Sequence, residues 1–103
     1  IILLMNNRTL GMVRQWQTLF FDGRYSETTL DNPIDWSMLA QAFGVKAMKI
    51  GKDDDPQPIL QAALDLGTAV LIDCEIPVDD KVYPMVAPGA SIDEMLGVEE
   101  VSV

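Results

Sequence analysis

Two adjacent carboxamides, Asn6 and Asn7, followed by Arg8-Thr9-Leu10-Gly11, form the stretch of this sequence whose residue types point to a ligand. The stretch holds no His, Cys or carboxylate, so it offers no evident general base and no zinc site. Its donors are amide oxygens and backbone carbonyls. These suit hard Mg²⁺, which takes an octahedron of oxygens and keeps phosphate oxygens in its shell. A helix starting just after the turn adds unpaired N–H groups and a positive dipole end, both favourable to phosphate. Asn also commonly does no more than shape a strand-to-helix turn, and spacing alone leaves both readings standing.

The elements that must position this turn can be read on either side of it. The apolar run Ile1-Ile2-Leu3-Leu4-Met5 reads as a buried strand of a parallel sheet, hydrophobic on both faces. Ligands of open α/β sheets sit beyond the carboxyl ends of the strands, which is where Asn6 to Gly11 fall. A helix is expected from Leu10 to about Phe21, carrying Met12, Val13, Trp16, Leu19 and Phe20. An aromatic-rich loop follows, broken at Gly23. Residues 25–34, with Thr28, Thr29, Asn32 and Pro33, read as an exposed connector.

A second helix is expected from Asp35, a candidate N-cap, to Phe43, with Trp36, Leu39, Ala40 and Phe43 at helical spacing and Gly44 beyond its end. Val45 to Ile50 reads as a short strand. Asp55 and Pro56 are placed as N-cap and first residue of a third helix, which runs to about Leu66 and stops at Gly67. The Asp53-Asp54-Asp55 run is a helix start and not a calcium loop, since no such ligand spacing follows. Ala69 to Ile76 reads as a strand. The order strand–helix–helix–strand–helix–strand predicts an α/β fold, a parallel sheet with flanking helices and right-handed crossovers. From Pro77 the sequence changes to a Pro-, Gly- and Asp-rich tail anchored by Tyr83, Met85 and Val86, poorly ordered in isolation, with one or two helical turns expected at Ser91 to Leu96.

Composition narrows the function. The 103 residues leave room for one domain, and 49% hydrophobic with 22% charged residues is a globular balance. A net charge of −9 argues against nucleic acid and anionic membranes as partners. Residues 1–20 hold Arg8 and Arg14 and no acid, so the local charge at the double-Asn end is basic although the whole is acidic. The single cysteine, Cys74, lies in an apolar strand and reads as a small hydrophobe. With no His, Cys–His catalysis is excluded within these residues. The longest apolar runs are five or six residues, so no signal peptide or spanning helix is visible and a reducing cytoplasmic location is expected.

The run Asn6-Asn7-Arg8-Thr9-Leu10-Gly11-Met12-Val13-Arg14-Gln15-Trp16-Gln17 resembles the C-terminal thiamine-diphosphate-binding region of acetolactate synthase large subunits. Phe21-Asp22-Gly23-Arg24-Tyr25-Ser26, Leu39 to Val45, Val70 to Asp73 and Val82 to Ala90 follow in that family's order and spacing, so the likeness covers nearly the whole chain. It implies condensation of two pyruvates to 2-acetolactate and CO₂, or of pyruvate with 2-ketobutyrate. It implies thiamine diphosphate and Mg²⁺ as cofactors, with FAD held mainly by another domain.

By motif position, the resemblance makes Asn6, Asn7, Leu10, Gly11, Met12 and Val13 cofactor-binding. Asn7 would ligate Mg²⁺ through its side chain and Thr9 through its backbone carbonyl. Trp16 and Pro88 would face the substrate channel, and residues 77–103 would form a tail or lid over the site.

The family's Gly-Asp-Gly segment and its cofactor-activating glutamate are not among these residues, so the 103-residue piece is expected to be inactive alone. The remaining domains of the large subunit, a homodimer or tetramer and a regulatory small subunit are the implied partners. Another carboligase of the same cofactor class, such as glyoxylate carboligase, and a non-catalytic acidic α/β interaction module remain the alternatives.

Overall fold

The computed structural model describes residues 1–31 and 34–98. Its elements follow the expected order: β1 (Ile2–Asn6), α1 (Gly11–Phe20), α2 (Trp36–Ala42), β2 (Lys46–Ile50), α3 (Pro56–Asp65), β3 (Val70–Glu75), β4 (Met85–Val86) and β5 (Met95–Leu96). The first three strands form an all-parallel sheet in the order β1-β3-β2, with Ile2 opposite Leu71 and Met48 opposite Ile72.

Helix ends obey local chemistry. The Asp35 carboxylate accepts the Met38 N–H at 2.9 Å at the start of α2, and the Asp55 carboxylate accepts the Gln57 N–H at 3.1 Å ahead of Pro56. Gly44 and Gly67 follow α2 and α3 in the left-handed region at φ 68° and 61°. Asp54 folds back to accept the Gly51 N–H at 2.7 Å, so two of the three consecutive aspartates are spent on turns. Among the described residues no group of three or more acids, Cys or His is placed to hold a metal.

The core is one-sided. Val70, Ile72 and Cys74 alternate along β3 and pack with Ile50 of β2 and Ala63 of α3, joined by Met48, Ile59, Leu60 and Leu66. Burial pushes the Cys74 thiol up, and the neighbouring Asp73 charge adds to the shift, which suits its place as a small apolar residue of the core.

Three expectations are corrected. The strand expected to be buried on both faces is an edge strand, and Ile2, Leu3 and Met5 are 57%, 49% and 59% exposed because no described helix packs closely on it. The expected exposed connector instead folds back on the double-Asn turn. Thr28 is buried and Thr29 bridges to Thr9; Asn32 and Pro33 lie outside the described residues. The helical turns expected at Ser91 to Leu96 are replaced by a turn at Ser91–Glu94 and by β5, which pairs antiparallel with β4 through Met85–Leu96 and Val86–Met95. Residues 99–103 of the tail lie outside the described residues.

The Cα radius of gyration is 17.8 Å, against about 13 Å for a compact domain of roughly this length. These residues therefore do not close a core around themselves. Large apolar side chains stand exposed on β1 and on α1, and exposed strand edges and apolar patches template pairing. The isolated 103-residue chain is expected to self-associate. Sedimentation that shows a clean monomer at high concentration contradicts this.

Candidate functional site

The site begins where β1 runs out. Asn6 is engaged at both ends of its carboxamide: Nδ2 donates to Asp73 Oδ1 on β3 at 2.9 Å, and Oδ1 accepts the Arg8 N–H at 3.2 Å. Asn7 repeats half of this pattern, its Oδ1 accepting the Thr9 N–H at 3.1 Å. These two successive side-chain turns drive Arg8 into the left-handed region at φ 56°. The connector then fixes the turn from outside. The Leu10 N–H donates to Thr28 O at 2.8 Å, Thr9 Oγ1 donates to the same carbonyl at 2.6 Å, and the Leu30 N–H donates to Arg8 O at 3.0 Å.

What remains free defines what the turn can bind. An amide oxygen carries two lone pairs, and Asn7 Oδ1 has given one to Thr9. The Thr9 carbonyl accepts no hydrogen bond among the described residues. No side chain caps α1 and no acid lies in its first turn, so its leading N–H groups are available to an anion. Two oxygens and a bare helix start fit a hard cation and the phosphate it carries.

Gly11 adds a steric requirement. A Cβ there would lie 2.7 Å from Asn7 Nδ2, so the Asn7 carboxamide occupies the space that glycine leaves. Gly11→Ala is expected to push Asn7 aside while removing the helix penalty of glycine, about 1 kcal/mol. If Asn7 is a cation ligand, the same change in the full-length protein weakens divalent-cation binding by about tenfold, the lower end of the cost of disturbing a metal ligand's support, without lowering the melting temperature. Unchanged binding by calorimetry contradicts the arrangement.

Beside the turn, at the carboxyl ends of the three parallel strands, lies an open cavity of about 440 Å³. Asn6, Asn7 and Arg8 line one side, and Lys52 and residues 75–78 the others. Arg8 and Lys52 give it two cations against the carboxylate of Glu75, which is also 3.6 Å from Lys49 Nζ.

Not every predicted site residue gathers here. Asn6 and Asn7 do. Leu10, Met12 and Val13 are exposed along the start of α1, outside the cavity, and Thr9 is buried beneath the connector. Trp16 is 42% exposed on α1 and meets Phe20 edge-on, ring centroids 5.6 Å apart. Pro88 sits exposed between β4 and β5 and lines neither the cavity nor the seam beside α1. Lys52 and Glu75 were missed, although Lys52 stands just past β2 and Glu75 ends β3, where the strand-end rule looks for ligands.

The tail is attached to α1. Gln15, 5% exposed, donates from Nε2 to Val82 O at 3.0 Å and accepts the Val82 N–H on Oε1 at 2.8 Å, while Nε2 lies 3.1 Å from Met85 Sδ. Arg14 Nε donates to Asp79 Oδ1 at 2.7 Å, and its guanidinium lies 3.7 Å over the Tyr25 ring. The Arg14 hydrogen bond holds the Asp79 carboxyl below the usual carboxylate range. That tie is therefore fully present above the ordinary carboxylate pKa and is lost as pH falls through the lowered value.

Residues 1–74 match the family described as thiamine pyrophosphate enzyme, C-terminal TPP binding domain. The chain is 44% identical over 98 residues to an acetolactate synthase large subunit of Pyropia yezoensis, covering 94% of this chain and 17% of that protein. It is 49% identical over 95 residues to acetolactate synthase isozyme 2 large subunit of Escherichia coli (strain K12), covering 92% of this chain and 17% of that protein. A Mycobacterium avium acetolactate synthase is 40% identical over 99 residues, covering 91% of this chain and 16% of that protein. The chain thus spans about one-sixth of the length of the curated relatives it matches. With the match covering well over half of its length, the chain belongs to the thiamine pyrophosphate enzymes, as part of their C-terminal TPP binding domain.

Proposed function

We propose that this chain is the C-terminal part of the cofactor domain of an acetolactate synthase large subunit, which condenses two pyruvates to 2-acetolactate and CO₂, or pyruvate with 2-ketobutyrate. The observation that carries the reading is the run Gly11-Met12-Val13-Arg14-Gln15-Trp16, set on one helix directly after the double-Asn turn, in a chain 44% and 49% identical to two such large subunits. Residues 1–103 are read as one domain piece, with residues 77–103 as a tail or lid. The whole enzyme is expected in the cytoplasm, where the other domains of the subunit complete the site and one of them holds FAD. A homodimer or tetramer of large subunits and a regulatory small subunit are its partners. Among the described residues no helix is long and apolar enough to cross a membrane.

Each residue then has a task. Asn7 Oδ1 and the Thr9 carbonyl would hold Mg²⁺, and the free N–H groups of α1 the diphosphate. Gly11 keeps the space that the Asn7 carboxamide fills. Asn6 and Leu10 brace the turn on either side, through Asp73 and Thr28. Met12, Val13 and Trp16 present an apolar surface on the exposed side of α1, with Pro88 assigned to the channel mouth. When bound, thiamine diphosphate supplies the carbanion chemistry and the protein supplies orientation and exclusion of water. No acid or base of this chain is assigned a proton transfer, so the 103 residues alone are expected to be inactive.

Calorimetry of the full-length protein with Mg²⁺ and thiamine diphosphate, followed by assay with pyruvate and with glyoxylate, tests the reading. Cofactor binding with acetolactate formed from pyruvate supports it. Turnover of glyoxylate alone points to another carboligase, and absence of cofactor binding to an interaction module; either result overturns it.

A further inference from the structure

Helix α1 has two opposed sides. At 3.6 residues per turn, Gly11, Arg14, Gln15 and Thr18 form one stripe, and Met12, Val13, Trp16 and Phe20 the stripe across from it. The first stripe is covered, since it and residues 78–81 of the tail line a common narrow seam. The second is open, with Met12 65% and Val13 51% exposed. The sheet does not settle which way the helix faces: among the described residues α2 packs on β2 and β3 and α3 on β2, but α1 has no comparable packing on a strand. Its roll about its own axis is left to the turn before it, the loop after it and the tail beside it.

Of the ties to the tail, Gln15 is the one built to hold. Its carboxamide pairs with both the N–H and the C=O of Val82, as a neighbouring strand would, and it does so buried. Releasing Val82 breaks both of these hydrogen bonds at once. The Arg14–Asp79 pair leaves Asp79 53% exposed, and a pair so open is weakened by solvent and salt. Met85, also in contact with Gln15, pairs through β4 with Leu96 of β5, so the same contact reaches the terminal hairpin.

We propose that Gln15 is a positioning residue: by clamping Val82 and Met85 of the tail to the covered side of α1, it fixes the roll of the helix and so the direction in which Met12, Val13 and Trp16 face the reacting molecules. This rests on the reading of the open side of α1 as the side that faces cofactor and substrate. Gln15 touches no reacting atom and acts through Trp16, its neighbour in sequence.

The test uses the full-length enzyme with two variants that break the clamp from opposite sides. Gln15→Leu removes the amide, and Val82→Pro removes the N–H it holds while leaving α1 untouched. Hydrogen exchange across residues 79–86 is expected to speed up about tenfold or more in Gln15→Leu, since these amides would open locally. Each variant should lower the preference for 2-ketobutyrate over pyruvate by about tenfold, with kcat for pyruvate self-condensation held within about twofold. The double variant should be no worse than either single one, as for two cuts in one connection. Unchanged exchange over residues 79–86 overturns the proposal. So does faster exchange with an unchanged preference, or with both activities and the melting temperature falling together, which marks a packing residue. If the unaltered enzyme forms no acetolactate, the functional reading fails instead, and the exchange result still reports whether Gln15 holds the tail.

Discussion

Replacing Asn7 by alanine in the full-length protein is expected to raise the Mg²⁺ and thiamine diphosphate concentrations for half-saturation by about 100-fold, or roughly 2.7 kcal/mol. The argument is one of free valence. Among the described residues Asn7 Oδ1 accepts only the Thr9 N–H and so keeps a lone pair for a cation, and α1 has no acid in its first turn to take its place. Asn6 is the internal control. Both ends of its carboxamide are occupied, by Asp73 and by the Arg8 N–H. Asn6→Ala leaves the Asp73 carboxylate without its partner and loosens the end of β1 from β3, a loss of about 1–3 kcal/mol of stability. Calorimetry with Mg²⁺ and thiamine diphosphate, beside thermal melts, separates the two. Asn7→Ala should lose far more affinity than stability, the lost bond to the Thr9 N–H costing about 1 kcal/mol, and Asn6→Ala the reverse. If Asn6→Ala is the variant that loses the cofactor, the assignment of the metal ligand is wrong.

Trp16→Leu is expected to leave pyruvate self-condensation near normal while reducing the preference for 2-ketobutyrate by about 10- to 200-fold. Met12 and Trp16 stand four residues apart on the open side of α1, so the indole lies about one turn, roughly 5–6 Å, beyond the cofactor end of the helix. A flat ring there can pack on the extra methyl of the larger keto acid. The competing view is that Trp16 is a core aromatic, for which truncation to alanine costs about 3–5 kcal/mol. The geometry weighs against it. The side chain is 42% exposed and its aromatic neighbour is Phe20, met edge-on, a pairing worth about 0.5–1.5 kcal/mol. Steady-state competition between the two keto acids, with a melt of the same preparation, decides. Parallel loss of both activities with a large fall in melting temperature makes Trp16 structural.

How much of this was legible depends on how far each signal reaches along the chain. Asp35 and Asp55 declare helix starts because their bonding partners are two or three residues away, and Gly44 and Gly67 declare helix ends through their own backbone angles. The double-Asn turn was legible for the same reason, since each side chain bonds an N–H two residues on. The failures are non-local. The apolar run of β1 shows that both its faces suit cover, but not which elements supply it. The pairing of Met85 with Leu96 is a two-residue contact without periodicity, so residues 91–96 read in sequence as a helical turn. Lys52 and Glu75 reach the cavity only because β3 lies between β1 and β2. Gln15 reads in sequence as an ordinary polar helix residue, and its partner lies 67 residues away.

The position of β3 also decides when the sheet can exist. Of the three parallel strands the last in the chain is the one in the middle, and among the described residues neither β1 nor β2 pairs with another strand of that sheet. Ile2 meets Leu71 and Asn6 meets Glu75, so every β1 pairing spans most of the sequence. At about 5–20 residues per second of synthesis, the roughly 70 residues between them take about 4–14 s to emerge. During that interval Ile2, Leu3 and Met5 form an apolar strand with its partner not yet made. Such long-range pairing forms late and slowly, and until β3 is made the apolar run of β1 is a segment that a chaperone can bind.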